Sequence, residues 1–180
     1  MIAKINPGTI LISKPFIEDR RFDKAIILIV EHNKNGTIGF ILNKKSPFQI
    51  SDFSEEIINK NIKIKIGGPV EKNNLFYIHK CPEIINDSNE IKNGYYWGGN
   101  VSNLIEGLNN NLINYDNLFF FTGYAGWEKN QLNEELDDGS WIVIEKNINI
   151  SNNLKWSDLL VDFNKEFKIW ASAPSDFRLN

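Results

Sequence analysis

Hydrophobic residues in this chain come in short runs separated by turn residues. Leu118, Phe119, Phe120, Phe121 and Thr122 form one such run without alternation, the pattern of a strand covered on both faces. It predicts a central strand. Gly123 and Gly126 then bracket Tyr124 and Ala125, so the chain can leave the strand through positive φ angles into a loop carrying Tyr124 and Trp127. Asn130 is placed to cap a short helix in which Glu134 and Glu135 lie near the positive end of the dipole, Leu132 and Leu136 share a face and Gly139 closes the last turn. A loop between a buried strand and a helix is where a rigid scaffold presents binding residues. The alternative is that both aromatics cap the core.

The remaining pattern reads in chain order. Residues 9–13 form a first strand ended by Pro15, and 25–30 with 37–42 form a hairpin turning at Asn35-Gly36. Asn43 ends its second strand. Residues 51–59 predict a short helix presenting Phe53, Ile57 and Ile58 to the core, and 62–66 alternate cleanly, placing Lys63 and Lys65 toward solvent. Gly67, Gly68 and Pro69 make a tight turn before a strand at 75–79, with Leu75, Tyr77 and His79 on one face. A polar loop spans 80–93, and aromatics return at 94–99 as a short strand or turn. Val101, Leu104, Ile105, Leu108 and Leu112 recur at helical spacing. Residues 141–145 read as a strand far enough from Thr122 for a right-handed crossover that would make the two parallel neighbours. Trp156, Leu159, Leu160, Phe163 and Phe167 predict one helix or two broken ones, before a polar, loosely held tail at 171–180. Strands and helices interleave irregularly, which argues for an α+β fold with a mixed sheet.

Composition narrows the function classes more than it selects one. The chain has 180 residues, 42% hydrophobic and 24% charged, which suits a single domain. A formal net charge of −3 gives no global attraction to nucleic acid or anionic membrane. Cys81 is the only cysteine, so no internal disulfide forms and a reducing compartment, the cytoplasm, fits best. No stretch has the length or apolarity of a signal peptide or membrane span. No cofactor or metal motif is apparent.

Glu31, His32 and His79 invite an acid-base reading, in which a carboxylate orients an imidazole. Neighbours on a strand face opposite ways, however, and no nucleophile motif or phosphate loop accompanies them. Arg20, Arg21, Lys24, Lys44, Lys45, Lys63 and Lys65 could form a basic patch, but without aromatic interleaving or a helix-turn-helix pattern a solvated face is the default, and direct nucleic-acid binding is disfavoured. The preferred reading is a module that binds an unknown protein or small-molecule ligand. Its contacts would be Tyr124, Trp127 and Gln131, with Glu31, His32, Asn43 and His79 as further binding candidates.

Several motifs stand in a recognisable order. They are Pro7-Gly8-Thr9, then Pro15, Asp19 and Phe22, Glu31-His32, Gly39 with Leu42-Asn43, and Gly67-Gly68-Pro69-Val70. His79, Gly98-Gly99, Gly123 to Trp127, Gln131-Leu132 and Trp141 complete the set. In this the chain resembles the YqgE/AlgH family over roughly residues 7–141. The resemblance implies a complex α+β fold: a bifurcated mixed β-sheet including a barrel-like part, surrounded by helices. It also implies a bacterial protein forming a single domain over residues 1–180, with the glycines, Gly126 among them, and Pro69 as structural motif. For some members it implies regulation of transcription. Asn130 and Asn133 stand where the family tends to have glycine and glutamate, and Lys44-Lys45 where it often has Arg-Pro. The alternative is a hydrolase-type enzyme using Glu31, His32 and His79.

Overall fold

The computed structural model describes residues 4–145, 149–151 and 153–173. Its strands are β1 (Ile10–Ser13), β2 (Ile26–Asn33), β3 (Gly36–Ile41), β4 (Ile64–Ile66), β5 (Val70–His79), β6 (Asn89–Lys92), β7 (Tyr95–Trp97), β8 (Leu118–Glu128) and β9 (Trp141–Ile144). The helices are α1 (Val101–Asn109), α2 (Gln131–Asp137), α3 (Trp156–Phe163) and α4 (Lys168–Ala171). The chain forms two compact units, Met1–Asn43 with Gly126–Asn180, and Lys44–Ala125. β8 gives its first eight residues to the second unit and its last three to the first.

In the first unit β3, β2, β1 and β9 follow one another, each pair antiparallel. β1 and the first five residues of β2 are wholly buried, as unbroken apolar runs require. Asn43 completes the strand ladder with its side chain, accepting the Ile26 N–H at 2.9 Å and donating to the Lys24 carbonyl at 2.8 Å. The Trp156 indole donates to the Ser13 carbonyl at 2.8 Å and fixes α3 against β1. The hairpin is as expected, although its two-residue turn is Lys34-Asn35, one position earlier, with Asn33 paired to Gly36. An extra residue at Val30 shifts the β2–β3 register.

In the second unit the order is β6, β7, β5, β8, all antiparallel, and β4 runs parallel along the other side of β8. The sheet is therefore mixed. Phe120, Phe121 and Thr122 are paired on both sides, the central position their apolar run predicts. Tyr77, Phe120, Leu118, Leu104 and Leu108 belong to the core beneath it. Asn100 caps α1 by accepting the Asn103 N–H at 3.0 Å. The α+β class is as expected, but the described strands stay open in each unit and do not close the barrel-like part.

Four local expectations are corrected. Residues 51–59 are not a helix; one 3-10 turn at Ile50–Asp52 remains. Asn109 of α1 explains why, since its side chain takes the Ile58 N–H at 3.0 Å and gives its own N–H to the Glu56 carbonyl at 2.8 Å, groups a helix would bond internally. The 80–93 segment holds β6. Trp141–Ile144 pairs antiparallel with β1, with no parallel crossover. Lys65 does not face solvent. It is 8% exposed, its Nζ lies 5.5 Å from the Phe119 ring centroid, and burial pushes its pKa down to about 8. The last segment breaks into α3, a 3-10 turn and α4, while residues 174–180 of the expected tail lie outside the described residues.

Candidate functional site

The Gly123–Trp127 segment is strand, not loop. Alternation along β8 then decides which side chain goes inward: Ala125 and Trp127 are buried, Tyr124 is half-buried and Gly126 and Glu128 are exposed. Trp127 is 5% exposed. Its ring stacks on Phe22 at 6.3 Å and meets Trp141 edge-on at 5.8 Å. One carboxylate oxygen of Glu135 accepts both indoles, Trp127 Nε1 at 2.8 Å and Trp141 Nε1 at 2.6 Å, and the other accepts Gln131 Nε2 at 3.0 Å. Gln131 also accepts the Glu128 N–H at 2.9 Å. Trp127 and Gln131 thus latch the end of β8 to α2 and β9. Glu135 was missed as a site residue because its place near a helix start is already explained by the dipole.

Beside this latch a cleft of about 110 Å³ is lined by His32, Gly36, Thr37, Glu128, Asn130 and Leu132, among others. His32 Nδ1 lies 2.8 Å from Thr37 Oγ1 across the hairpin. Glu31 is not among the lining residues and accepts Asn33 Nδ2 at 2.6 Å. Asn130 adopts the left-handed conformation, φ +67°, without a side-chain cap.

His79 and Tyr124 belong to the second unit. His79 is fully buried; the Cys81 N–H donates to its Nδ1 at 3.2 Å, which leaves Nε2 to donate to the Gly98 carbonyl at 3.2 Å. The Tyr77 hydroxyl donates to the Gly99 carbonyl at 2.8 Å, and burial pushes its pKa up to about 12. Gly98 and Gly99 take positive φ, which turns these carbonyls toward the two side chains. Burial holds the His79 imidazole below its ordinary pKa of 6.5, a net effect that outweighs the Gly98 hydrogen bond and Glu83. The unfolded chain therefore binds a proton near pH 6.5 that the folded unit refuses, so stability present above that pH is lost as pH falls through the folded value. Urea denaturation between pH 7.5 and 5 is expected to show this loss, and His79→Gln is expected to flatten it. Tyr124 meets Phe76 edge-on at 5.5 Å, and burial, then Glu71, raises its phenol pKa.

A further concavity lies outside the expected site residues. A groove of about 830 Å³ runs along β9 in the first unit, walled by Leu136 from α2, Leu159 and Phe163 from α3, and Phe167. Lys14, Asp137, Glu145 and Asp162 also line it and are exposed. Phe163 is 54% exposed. The spacing of Leu159, Phe163 and Phe167 was visible, but helical spacing alone cannot tell a face that meets a sheet from one that walls a groove. Among the described residues no three His, Cys, Asp or Glu side chains are grouped to hold a metal, and no helix is long and apolar enough to cross a membrane.

The AlgH-like family model matches residues 10–169. The chain belongs to this family. Curated relatives include a UPF0301 protein of Cytophaga hutchinsonii, 34% identical over 98% of this chain and 100% of the relative. Another, from Parabacteroides distasonis, is 35% identical over 96% of this chain and 90% of the relative. The fold is similar to that of a Corynebacterium diphtheriae protein (TM-score 0.74, 19% identity, 96% of this chain and 95% of that one). It is also similar to the solution structure of Pseudomonas aeruginosa AlgH (TM-score 0.67, 21% identity, 96% and 98%). None of these names states an activity.

Proposed function

We propose that this AlgH-like protein is a binding module and that its ligand or partner protein is held in the groove along β9. The observation that carries the reading is a predominantly apolar trough of about 830 Å³ whose charged lining residues, Lys14, Asp137, Glu145 and Asp162, are all exposed, the form of recognition sites in general. The hairpin cleft is a lesser candidate: it brings His32 near Asn130, but Trp127 is closed into the core and Gln131 is bonded at both ends of its amide. A regulatory role would act through the partner. Direct contact with DNA has little support, since Arg21 is held by Asp19 at 2.6 Å, Lys65 is buried and Lys24 donates to the Ala173 carbonyl. A hydrolase using His79 would need a fully buried imidazole to reach substrate. The family match runs through both units, which supports reading them as one YqgE/AlgH-like domain, and the single buried thiol of Cys81 suits the cytoplasm.

The test is a chemical-shift titration of isotope-labelled full-length protein with apolar fragments and short peptides. Shifts confined to β9, the end of α2 and α3 are expected, and Phe163→Glu is expected to weaken binding at least about tenfold by placing a carboxylate on an apolar wall. No shifts there from any compound, or shifts concentrated elsewhere, would overturn the reading.

A further inference from the structure

Five consecutive residues, Trp141 to Glu145, line the groove. Side chains of a strand alternate between faces, so one face of β9 could supply only every second residue. The groove therefore follows the edge of the strand. The register confirms which backbone groups meet it. Ser13 pairs with Trp141 and Leu11 with Val143, and the Lys14 N–H donates to the Ser140 carbonyl at 3.0 Å. This phase turns the N–H and C=O of Ile142 and Ile144 toward β1 and those of Trp141 and Val143 away from it. No described residue bonds these outward groups. β9 is the last strand in its sheet order, so its outer ladder stands open inside an apolar trough.

We infer that this edge takes an extended basic segment of a partner protein, which adds to β9 as a further strand. The inference rests on the binding-module reading and names what the groove binds. Four strand residues offer about 14 Å of edge, room for four or five residues of an extended peptide. Alternate side chains of that peptide would face Leu159, Phe163 and Phe167. Asp137 and Glu145 outnumber Lys14 among the exposed charged residues that line the groove, so the other side chains are best Lys or Arg. A neutral or acidic peptide would satisfy the backbone but not these carboxylates.

The probe is a pool of capped heptapeptides in which Lys or Arg alternates with Val, Leu, Ile or Phe, titrated into the full chain at low salt. Binding at β9 and α3 is expected. For the best binder, exchanging its basic residues for Glu should weaken binding at least about tenfold, and raising salt should weaken it too. N-methylation of alternate peptide bonds should abolish binding in one register and spare it in the other, because only one register meets the Trp141 and Val143 carbonyls. This last comparison leaves the protein unaltered. Val143→Pro, which removes an outward donor at an edge position where proline is tolerated, should also weaken binding; if it fails to fold, the N-methyl pair decides. Equal affinity for the Glu peptide or for both N-methyl registers overturns the inference. So does tighter binding of a peptide of residues 174–180, or concentration-dependent dimerisation through β9, since the groove would then serve this chain itself. If apolar fragments shift the groove and no peptide does, the strand-addition inference fails and the binding-module reading stands; if nothing binds there, both fail.

Discussion

Gly68→Ala is expected to cost about 4 kcal/mol or more and to unfold the second unit. A Cβ at Gly68 would lie 2.0 Å from the Tyr124 carbonyl carbon, 2.1 Å from its oxygen and 2.2 Å from the Ala125 nitrogen. These are backbone atoms of β8, which is paired on both sides over Phe120 to Thr122, so no side-chain rotation relieves the overlap. Gly123 completes the crossing from the other strand, with φ +65° and its own Cβ position 2.6 Å from the Gly68 and Val70 carbonyl oxygens. Gly98→Ala is the control. Gly98 also has positive φ, +66°, but nothing lies within 4 Å of an added Cβ, so only the left-handed strain of about 1–2 kcal/mol remains. Amide exchange at β5 and β8 should separate the two variants. A Gly68→Ala protein as protected there as Gly98→Ala would refute the close-crossing account.

This contrast also shows how far the sequence could be read. Gly67-Gly68-Pro69 announces a turn, and a turn needs glycine only for its φ angles. That Gly68 lies on the backbone of residues more than fifty positions later is a tertiary fact. The same division runs through the chain. The β2–β3 hairpin was legible because two apolar-rich runs flank a local turn signal, which placed the turn to within one residue. Residues 51–59 were misread because their helical spacing is real, but Asn109 offers their backbone better partners. Lys65 was misread because strict alternation implies one wet face, whereas β4 lies along β8 and has no wet face at that position. At the candidate site, Trp127 and Gln131 were legible as important and illegible as to purpose. The groove along β9 was invisible as a site, since its residues look like ordinary core until the edge of β9 is known to be open.

Glu135→Ala should have the second large effect, a loss of about 3 kcal/mol in the first unit. Two buried indole N–H groups, from Trp127 and Trp141, share one oxygen of this carboxylate, and each left unsatisfied costs about 1–3 kcal/mol. The packing of Phe22 against both rings stays, which is why the loss falls short of an aromatic truncation. In a chain of this length the change corresponds to a fall of roughly 10 °C in Tm. Glu135→Gln separates the hydrogen bonds from the charge. Its carbonyl oxygen can still accept both indoles, but its amide then meets Gln131 Nε2, donor to donor, and Gln131 cannot turn without giving up the Glu128 N–H it accepts at 2.9 Å. An intermediate loss of about 1–1.5 kcal/mol follows, and Gln131→Leu should recover part of it in the Glu135→Gln background while costing stability in the wild-type chain. Thermal melts of the four proteins form a double-mutant cycle. Full additivity in that cycle would mean that Gln131 and Glu135 act separately and that the Gly123–Trp127 segment is tied down by something other than this carboxylate.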